Sequence, residues 1–438
     1  MKRTLLLILS VFIVLTLSGC GSSPANNGSN ESSKTIELTF FYPIGVGGPL
    51  AKLIETQTKQ FMDENPNIKL NAVFAGNSSE TMTKTITAIQ SGTSPDFAIL
   101  GNSELYTLLS MNAITPLNDL IAKDGGDEYI DDFLPALMEN SVYDNKIWSI
   151  PFQRSTLIAY YNKEHFIEAG LDPNKAPENW EELVEYGKKL TKKDAKGNVE
   201  QWGMMIPTDG FIFTAFSQQN STNGDGLMTK DGKKALFNTE GNVDALQYIV
   251  DLNKKHGVMP EGVVKWETAP ANFIEGKTSI IITTTGNLAN IKNNAKFDFG
   301  TAFLPQGLRQ GSASGGANIY IFKSSSEEKQ EAAWKFIRWI TEPERTAQWN
   351  VDTGYIATRK SAYETDLMKQ YVQDVPQALT GKNQLDYAGS ELRLYENGKN
   401  MQILVSAIES ALTGSKTAEQ ALADAQAESD KVLAPFNK

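Results

Sequence analysis

Residues 36–61 read IELTFFYPIGVGGPLAKLIETQTKQF and contain the first strand, turn and helix of the fold. Every second residue from Ile36 to Phe40 is apolar, which is the period of a half-buried β-strand. From Leu50 to Phe61 the apolar residues recur at the spacing of one helical face. The sequence therefore predicts a strand, a glycine-rich turn at 45–49 and an amphipathic helix, in that order.

The same rhythm continues along the next part of the chain. Residues 68–74 and 97–100 read as further strands, and the apolar residues between Met82 and Ile89 mark a helix between them. This β-α-β-α-β order predicts an α/β fold with a parallel sheet and helices on its faces. Ligands of such sheets bind beyond the carboxyl ends of the strands, so we expect the strand-to-helix turns to carry the site. These turns are 45–49, 75–79 and 101–104.

Composition excludes several classes of protein. The 438 residues, 40% of them hydrophobic, suffice for two compact lobes. A net charge of −11 argues against a nucleic-acid partner, whose phosphates would require a basic surface. With Cys20, His165 and His256 as the only residues of their types, we predict neither a Cys/His zinc site nor a disulfide, and no cofactor. The turn at 45–49 lacks the Gly-Lys-Ser/Thr of a nucleotide-binding loop.

The N-terminus has the pattern of an export signal. Lys2 and Arg3 precede an apolar run that ends at Leu17-Ser18-Gly19-Cys20, a string that resembles the bacterial lipobox. We therefore predict a signal peptide over 1–20, lipidation of Cys20 and a flexible tether over 21–35. The lipid anchor would be the only contact with the membrane, because no later segment is long and apolar enough to span it.

Residues 147–166 read IWSIPFQRSTLIAYYNKEHF, a buried strand pattern interrupted by polar residues, and we interpret this segment as a crossing between lobes. A further strand is predicted at 279–283 and helices at 333–340 and 401–412. Another helix begins at Thr417, which forms a capping-box pattern with Gln420.

Several strings resemble one family over residues 36–434, the extracellular solute-binding proteins (family 1) of bacterial ABC importers. Within it, the resemblance is to the branch that captures sugars and glycerol phosphates. The strings are IPFQRSTLIAYYNKEHFIEAGLDP, TTTGNLANIKNNAKFDFGTAFLP, SGGANIYIF, WNVDTGYIATRKSAYE and ELRLYENGKNMQI.

The resemblance implies a periplasmic-binding-protein-like fold of type II, with two α/β lobes, hinge crossings and a ligand cleft between the lobes. Lobe one would take residues 36–150 and 286–348, and lobe two residues 155–283 and 350–438.

The resemblance also implies a set of ligand contacts, with no catalytic residue among them. Ser155, Thr284, Gly316, Tyr355 and Arg393 stand at family contact positions. The hydroxyls would bind ligand oxygens, and Gly316 would let its backbone approach the ligand. Arg393 would pair with a phosphate through its guanidinium.

Other positions depart from the family pattern. Ser78 replaces a tyrosine, and Asn102 replaces a glutamate for which Glu104 could substitute. Phenylalanines stand where the family places tryptophans; they are Phe211, Phe213 and Phe216. For Arg154 we expect an outward-facing charge and keep a second anion contact as the alternative, and Trp266 is a further candidate for the cleft. Trp334 and Trp339 are predicted to be packing residues.

These inferences lead to one main hypothesis and three alternatives. The main hypothesis is a lipid-anchored, monomeric receptor on the extracytoplasmic side of the cell membrane. It would capture glycerol 3-phosphate, a related glycerophosphodiester or a carbohydrate and deliver it to the permease of an ABC importer. The alternatives are a receptor for neutral sugars or oligosaccharides, a secreted hydrolase that uses paired carboxylates, and a surface sensor or adhesin without an importer.

Overall fold

The structure is a computed structural model that describes residues 35–44, 49–222 and 226–437. The described residues lie in one compact unit that begins at Thr35. The turn 45–48, the signal peptide, Cys20 and the tether up to Lys34 lie outside the described residues.

Twelve strands are found within the described ranges. They are β1 Ile36–Tyr42, β2 Ile68–Phe74, β3 Phe97–Gly101, β4 Val142–Tyr143, β5 Lys146–Ile147, β6 Ile150–Asn162, β7 Lys192–Lys193, β8 Val199–Met205, β9 Thr278–Thr284, β10 Phe299–Ala302, β11 Ser312–Ile321 and β12 Ala388–Ser390.

The same part of the chain forms eighteen α-helices. They are α1 Leu50–Glu64, α2 Ser78–Gln90, α3 Leu105–Ser110, α4 Asn118–Lys123, α5 Gly126–Asp131, α6 Pro135–Met138, α7 Lys163–Glu168, α8 Trp180–Leu190, α9 Gly210–Asn220, α10 Glu240–Lys254, α11 Thr268–Ile274, α12 Leu288–Asn294, α13 Glu327–Ile340, α14 Pro343–Thr353, α15 Asp366–Asp374, α16 Ala378–Gln384, α17 Asn397–Leu412 and α18 Ala418–Leu433. Short 3₁₀ turns add to them at Asn102–Glu104, Glu139–Ser141, Thr285–Asn287, Ser361–Glu364, Leu385–Tyr387 and Ala434–Asn437.

The first strands and helices lie where the sequence predicts them. Helix α1 ends at Glu64 and is followed by the cap residue Asn65, whose side-chain amide donates to the carbonyl of Phe61 at 2.9 Å. Helix α2 begins with a capping box between Asn77 and Glu80, which satisfies backbone N–H groups of its first turn. Helix α18 has the predicted capping box of Thr417 and Gln420.

The main sheet has the strand order β2-β1-β3-β11-β6-β9-β8-β7, and β10 and β12 pair with β6 and β11. Strand β1 is parallel to β2 and β3, as the β-α-β-α-β order predicts. Strand β11 is antiparallel to both β3 and β6, so the complete sheet is mixed. The predicted α/β fold is confirmed.

Strand β6 connects the two main hydrophobic cores of the molecule. All thirteen of its residues are buried. Its first half pairs with β11 and its second half with β9 and β10. Ile150 and Phe152 pack in the first core, with β1, α1 and α13, whereas Leu157 and Tyr160 pack in the second, with α9, α10 and α17. Trp334 and Trp339 are packing residues of the first core.

The segment between β9 and β11 packs on the second core, and the predicted lobe boundaries stay a prediction. Leu288, Ile291, Phe299 and Leu304 lie in the second core, although the prediction assigned 286–348 to lobe one. The reason is that β10 pairs with the second half of β6 and thereby holds this segment against the second core.

Among the described residues, no helix has both the length and the apolar character needed to cross a membrane.

Candidate functional site

The centre of the candidate site is the pairing of β6 with β11. Gly316 lies opposite Arg154, and Gly315 lies opposite Ser155. Gly316 has a φ of +100°, and a Cβ atom there would stand 2.0 Å from the carbonyl oxygen of Gln153. Only glycine fits this backbone conformation and this close approach of two strands.

Arg154, itself a member of this pairing, is fully buried, so the expected outward-facing charge is wrong. Its Nε donates to the carbonyl of Gly315 at 3.0 Å, and its Nη2 donates to Ser314 Oγ at 2.9 Å. Its Nη1 donates to the carbonyl of Leu137 and to Asn318 Oδ1. Burial lowers the pKa of Arg154 to about 10, so the side chain stays charged at neutral pH. All three nitrogens bond to protein acceptors, so Arg154 contributes charge rather than a free donor.

Three predicted contact residues lie around the middle of β6. Ser155 is buried within β6 itself, and Thr284, on β9, pairs with Leu157. The ring of Tyr355 lies over Gly286, where a Cβ atom would be 3.1 Å from it. Burial raises the pKa of Tyr355, so its phenol keeps its proton and can donate a hydrogen bond. The structure thus brings these side chains to one place.

Asn102 and Glu104 follow the carboxyl end of β3 and face the same region. Asn102 is fully buried, and its Nδ2 donates to the carbonyl of Ser314 at 3.3 Å. Its Oδ1 has no hydrogen-bond partner within the described residues. Burial raises the pKa of Glu104 to about 7, while hydrogen bonds from Thr107 and Asn397 oppose this shift.

Arg393 is the second buried cation of the site. Its residue is 6% exposed, and its Nη1 donates to the carbonyl of Glu139 at 3.1 Å. The guanidinium carbon lies 5.0 Å from the centre of the Tyr106 ring. Arg393 Nε is buried and bonds to no acceptor in the described part of the chain. Unlike Arg154, it therefore retains a donor for an anion.

Two carboxyl groups of the site were not predicted from the sequence. Burial raises the pKa of Glu391 to about 8, with the charges of Glu104 and Asp209 adding to the shift and Arg154 opposing it. Burial likewise raises the pKa of Asp209 to about 6. Glu391 lies inside the string ELRLY, but only the fold brings it beside Gly315, whose added Cβ would be 3.2 Å from Glu391 Oε2.

The aromatic candidates separate into core and site. Phe213 and Phe216 are buried in the second core, so they are packing residues. The ring of Phe211 lies against Gly315, where a Cβ atom would stand 2.6 Å from it. Trp266 lies 6.1 Å from Phe211, measured between ring centres.

Ser78 is the predicted contact that stands apart. It is exposed in the first turn of α2. Its place in the site stays a prediction. Within the described ranges, no group of three His, Cys, Asp or Glu side chains could hold a metal ion.

Known proteins resemble this chain in both sequence and fold. The sn-glycerol-3-phosphate-binding periplasmic protein UgpB of Escherichia coli K12 is 27% identical over 409 residues, which cover 89% of this chain and 91% of that protein. The protein of the same name from Salmonella typhimurium is 28% identical with the same coverage.

Solved structures give the same fold. UgpB from Mycobacterium tuberculosis in complex with glycerophosphocholine superposes with a TM-score of 0.80 at 24% identity, covering 92% of this chain and 99% of that one. The maltodextrin-binding domain MalE of Bdellovibrio bacteriovorus bound to maltotriose superposes with a TM-score of 0.78 at 22% identity, covering 91% and 100%.

A family model settles the relationship. The model of bacterial extracellular solute-binding proteins matches residues 56–377, well over half of the chain. The resemblance inferred from the sequence strings is confirmed by this match. The chain belongs to the bacterial extracellular solute-binding proteins.

Proposed function

We propose that this receptor of an ABC importer captures a glycerophosphodiester, or a related phosphate ester of glycerol, between its two lobes and delivers it to the permease. The observation that carries the proposal is Arg393. A buried guanidinium whose Nε has no acceptor is costly unless an anion occupies the site. A phosphate offers several acceptor oxygens to such a fork of donors.

The other predicted contacts have the chemistry that the rest of such a ligand requires. Ser155, Thr284 and the Tyr355 phenol are hydroxyls that can pair with glycerol oxygens. Asn102 Oδ1 is a buried acceptor that lacks a donor in the described chain. Relatives named for sn-glycerol-3-phosphate binding and a structure with glycerophosphocholine support this class of ligand.

In this proposal the lobes follow the two cores. Lobe one takes 36–150 and the part of the chain from β11 to α13, and lobe two takes most of the remaining described residues. Ligand closes the lobes because it contacts both of them better when they are together.

A neutral oligosaccharide is the second candidate. The observation that favours it is the combination of Glu104 and Glu391 with the rings of Phe211 and Trp266, since carboxyl groups can pair with sugar hydroxyls and aromatic faces suit sugar rings. The maltotriose-bound structure of similar fold supports this reading.

The receptor is proposed to bind its ligand without turnover. The relatives are binding proteins, whereas a hydrolase would use a pair of carboxyls such as Glu104 and Glu391. Incubation of the protein with glycerophosphocholine, followed by analysis for free choline, separates a receptor from a hydrolase. Any release of choline that depends on the protein would contradict the proposal.

The family is extracytoplasmic, and we propose that Cys20 carries the lipid that holds the receptor at the membrane. Labelling of cells with a fatty-acid probe should mark the wild-type protein. Cys20→Ser should remain unlabelled and be released into the medium or periplasm.

The ligand is tested by calorimetric titration of the wild-type chain with glycerophosphocholine, glycerol 3-phosphate and maltotriose. The proposal predicts that a phosphate ester binds at least about a hundredfold more tightly than maltotriose, a difference of about 3 kcal/mol. Binding of maltotriose but of neither phosphate ester would contradict the proposal and favour a neutral oligosaccharide as the ligand.

A further inference from the structure

Tyr106 lies at the middle of an aromatic cluster and contacts the cation of Arg393. Its ring stacks on Tyr395, with centres 5.1 Å apart, and meets the edge of Tyr143 at 5.4 Å. The Arg393 guanidinium lies 5.0 Å from its centre. Such contacts fix the orientation of an arginine that would otherwise sample many rotamers.

The cluster joins parts of the molecule that belong to different cores. Tyr106 is in α3, which follows β3, and Tyr143 packs on the small core around Leu100, Leu105 and Tyr320. Tyr395 packs on the second core. The stacked pair therefore spans the two proposed lobes.

A socket for Tyr106 is formed by the turn at residues 229–234. The Tyr106 hydroxyl donates to the carbonyl of Lys230 at 2.9 Å. Gly232 faces the ring, and a Cβ atom there would lie 2.5 Å from it. The carbonyl of Gly232 accepts from the Tyr395 N–H at 3.1 Å, so the socket and the stacking partner are tied together.

Further hydrogen bonds join the same two proposed lobes. Arg393 Nη1 bonds to the carbonyl of Glu139, and Ser390 Oγ donates to Asn140 Oδ1 at 2.6 Å. The backbone N–H of Asn397 donates to Thr107 Oγ1 at 3.4 Å. Tyr106 lies in its socket next to these hydrogen bonds, where the two proposed lobes meet.

We propose that Tyr106 and the socket formed by Lys230, Gly232 and Tyr395 are a clasp that forms when the lobes close. The clasp rests on the proposed function, since it holds Arg393 in place for the ligand. Tyr106 is a positioning residue, which acts through Arg393 and slows ligand release without contributing a ligand contact.

Ligand dissociation from the full chain, followed by stopped flow, tests the clasp. The probe is glycerophosphocholine, or maltotriose if only that ligand binds the wild type. The ligand should dissociate from Tyr106→Ala about tenfold faster than from the wild type, with little change in its association rate. Tyr106→Phe keeps the ring and loses only the hydrogen bond to Lys230, so it should restore most of the wild-type rate.

Gly232→Ala tests the socket from the other side. Its methyl group would meet the Tyr106 ring and should speed dissociation as Tyr106→Ala does. Gly257→Ala is the matched control, because Gly257 has a φ of +62° against +66° at Gly232, and nothing lies within 4 Å of its added Cβ. Equal dissociation rates of these two glycine variants, or a Tyr106→Ala rate within twofold of wild type, would overturn the clasp.

Hydrogen exchange over 229–234, measured with and without a saturating probe, gives a second readout. Because the clasp forms when the lobes close, the probe should slow this exchange in the wild type and slow it much less in Tyr106→Ala; equal slowing in the two proteins would contradict the clasp alone. If neither probe binds the wild type, the proposed function fails, and the clasp, which rests on it, fails too.

Discussion

At the scale of single residues, Gly316 is a predicted ligand contact whose glycine is required by strand packing. Gly316→Ala should lower the free energy of unfolding by about 3 kcal/mol, because the methyl group would meet the backbone of β6 and the residue would keep a positive φ. Urea unfolding measures this loss. Gly414→Ala is the control, with a φ of +75° and open space around the added Cβ, and should lose only about 1 kcal/mol. Equal losses would show that the strand contact contributes nothing.

The carboxyl of Glu391 should make stability depend on pH. Its folded pKa of about 8 lies above its unfolded value of about 4.3, so the native state binds more protons between these pH values. The free energy of unfolding should therefore fall as the pH rises from about 5 to about 8 and then level off. Glu104 and Asp209, whose pKa values are raised to about 7 and about 6, act in the same direction.

Glu391→Gln removes one of these titrations and should flatten the decline. Urea unfolding at pH 5, 7 and 9 measures the slope, and Glu409→Gln, at an exposed position of α17, is the control. A slope in Glu391→Gln equal to that of the control would contradict the assignment.

At the scale of elements, β6 depends on the buried cation of one of its own residues, Arg154. Arg154→Met keeps much of the volume but leaves the acceptors Gly315 O, Ser314 Oγ and Asn318 Oδ1 without their donor. It should cost about 3–5 kcal/mol of unfolding free energy. Arg309→Met, at an exposed position, should change stability by less than about 0.5 kcal/mol. A loss at Arg154 as small as that at Arg309 would show that the hydrogen bonds are dispensable.

Elements were predictable where the local pattern carries them. Strands β1 to β3 alternate or form apolar runs and follow turn residues, so their positions could be read directly. Strand β11 reads SASGGANIYI, with small residues and two glycines, and pairing with β3 and β6 makes it a strand. The short strands β10 and β12 likewise depend on partners that are distant in the chain.

The site followed the same rule. Ser155, Thr284 and Arg393 could be named because each stands in a string that resembles the family. Glu391 and Tyr106 could not be named, because their importance comes from what the fold places beside them, namely Gly315 and Arg393. The prediction that Arg154 is exposed was wrong, because an arginine is usually exposed. Four acceptors around its guanidinium, which the sequence does not reveal, make its burial possible.

At the scale of the whole molecule, one buried arginine, Arg393, is expected to bind the ligand's anionic group between the two lobes. Arg393→Ala should weaken glycerophosphocholine binding by at least about a hundredfold, because it removes a charged hydrogen-bond partner from a buried site. Arg309→Ala removes the same charge from the exposed surface and should leave the affinity within about twofold.

The most direct measurement is therefore the calorimetric affinity of the wild type, Arg393→Ala and Arg309→Ala for glycerophosphocholine, each checked for folding by thermal unfolding. The wild type and Arg309→Ala should bind strongly, and a folded Arg393→Ala should lose binding. A folded Arg393→Ala that binds glycerophosphocholine as tightly as the wild type would contradict this prediction.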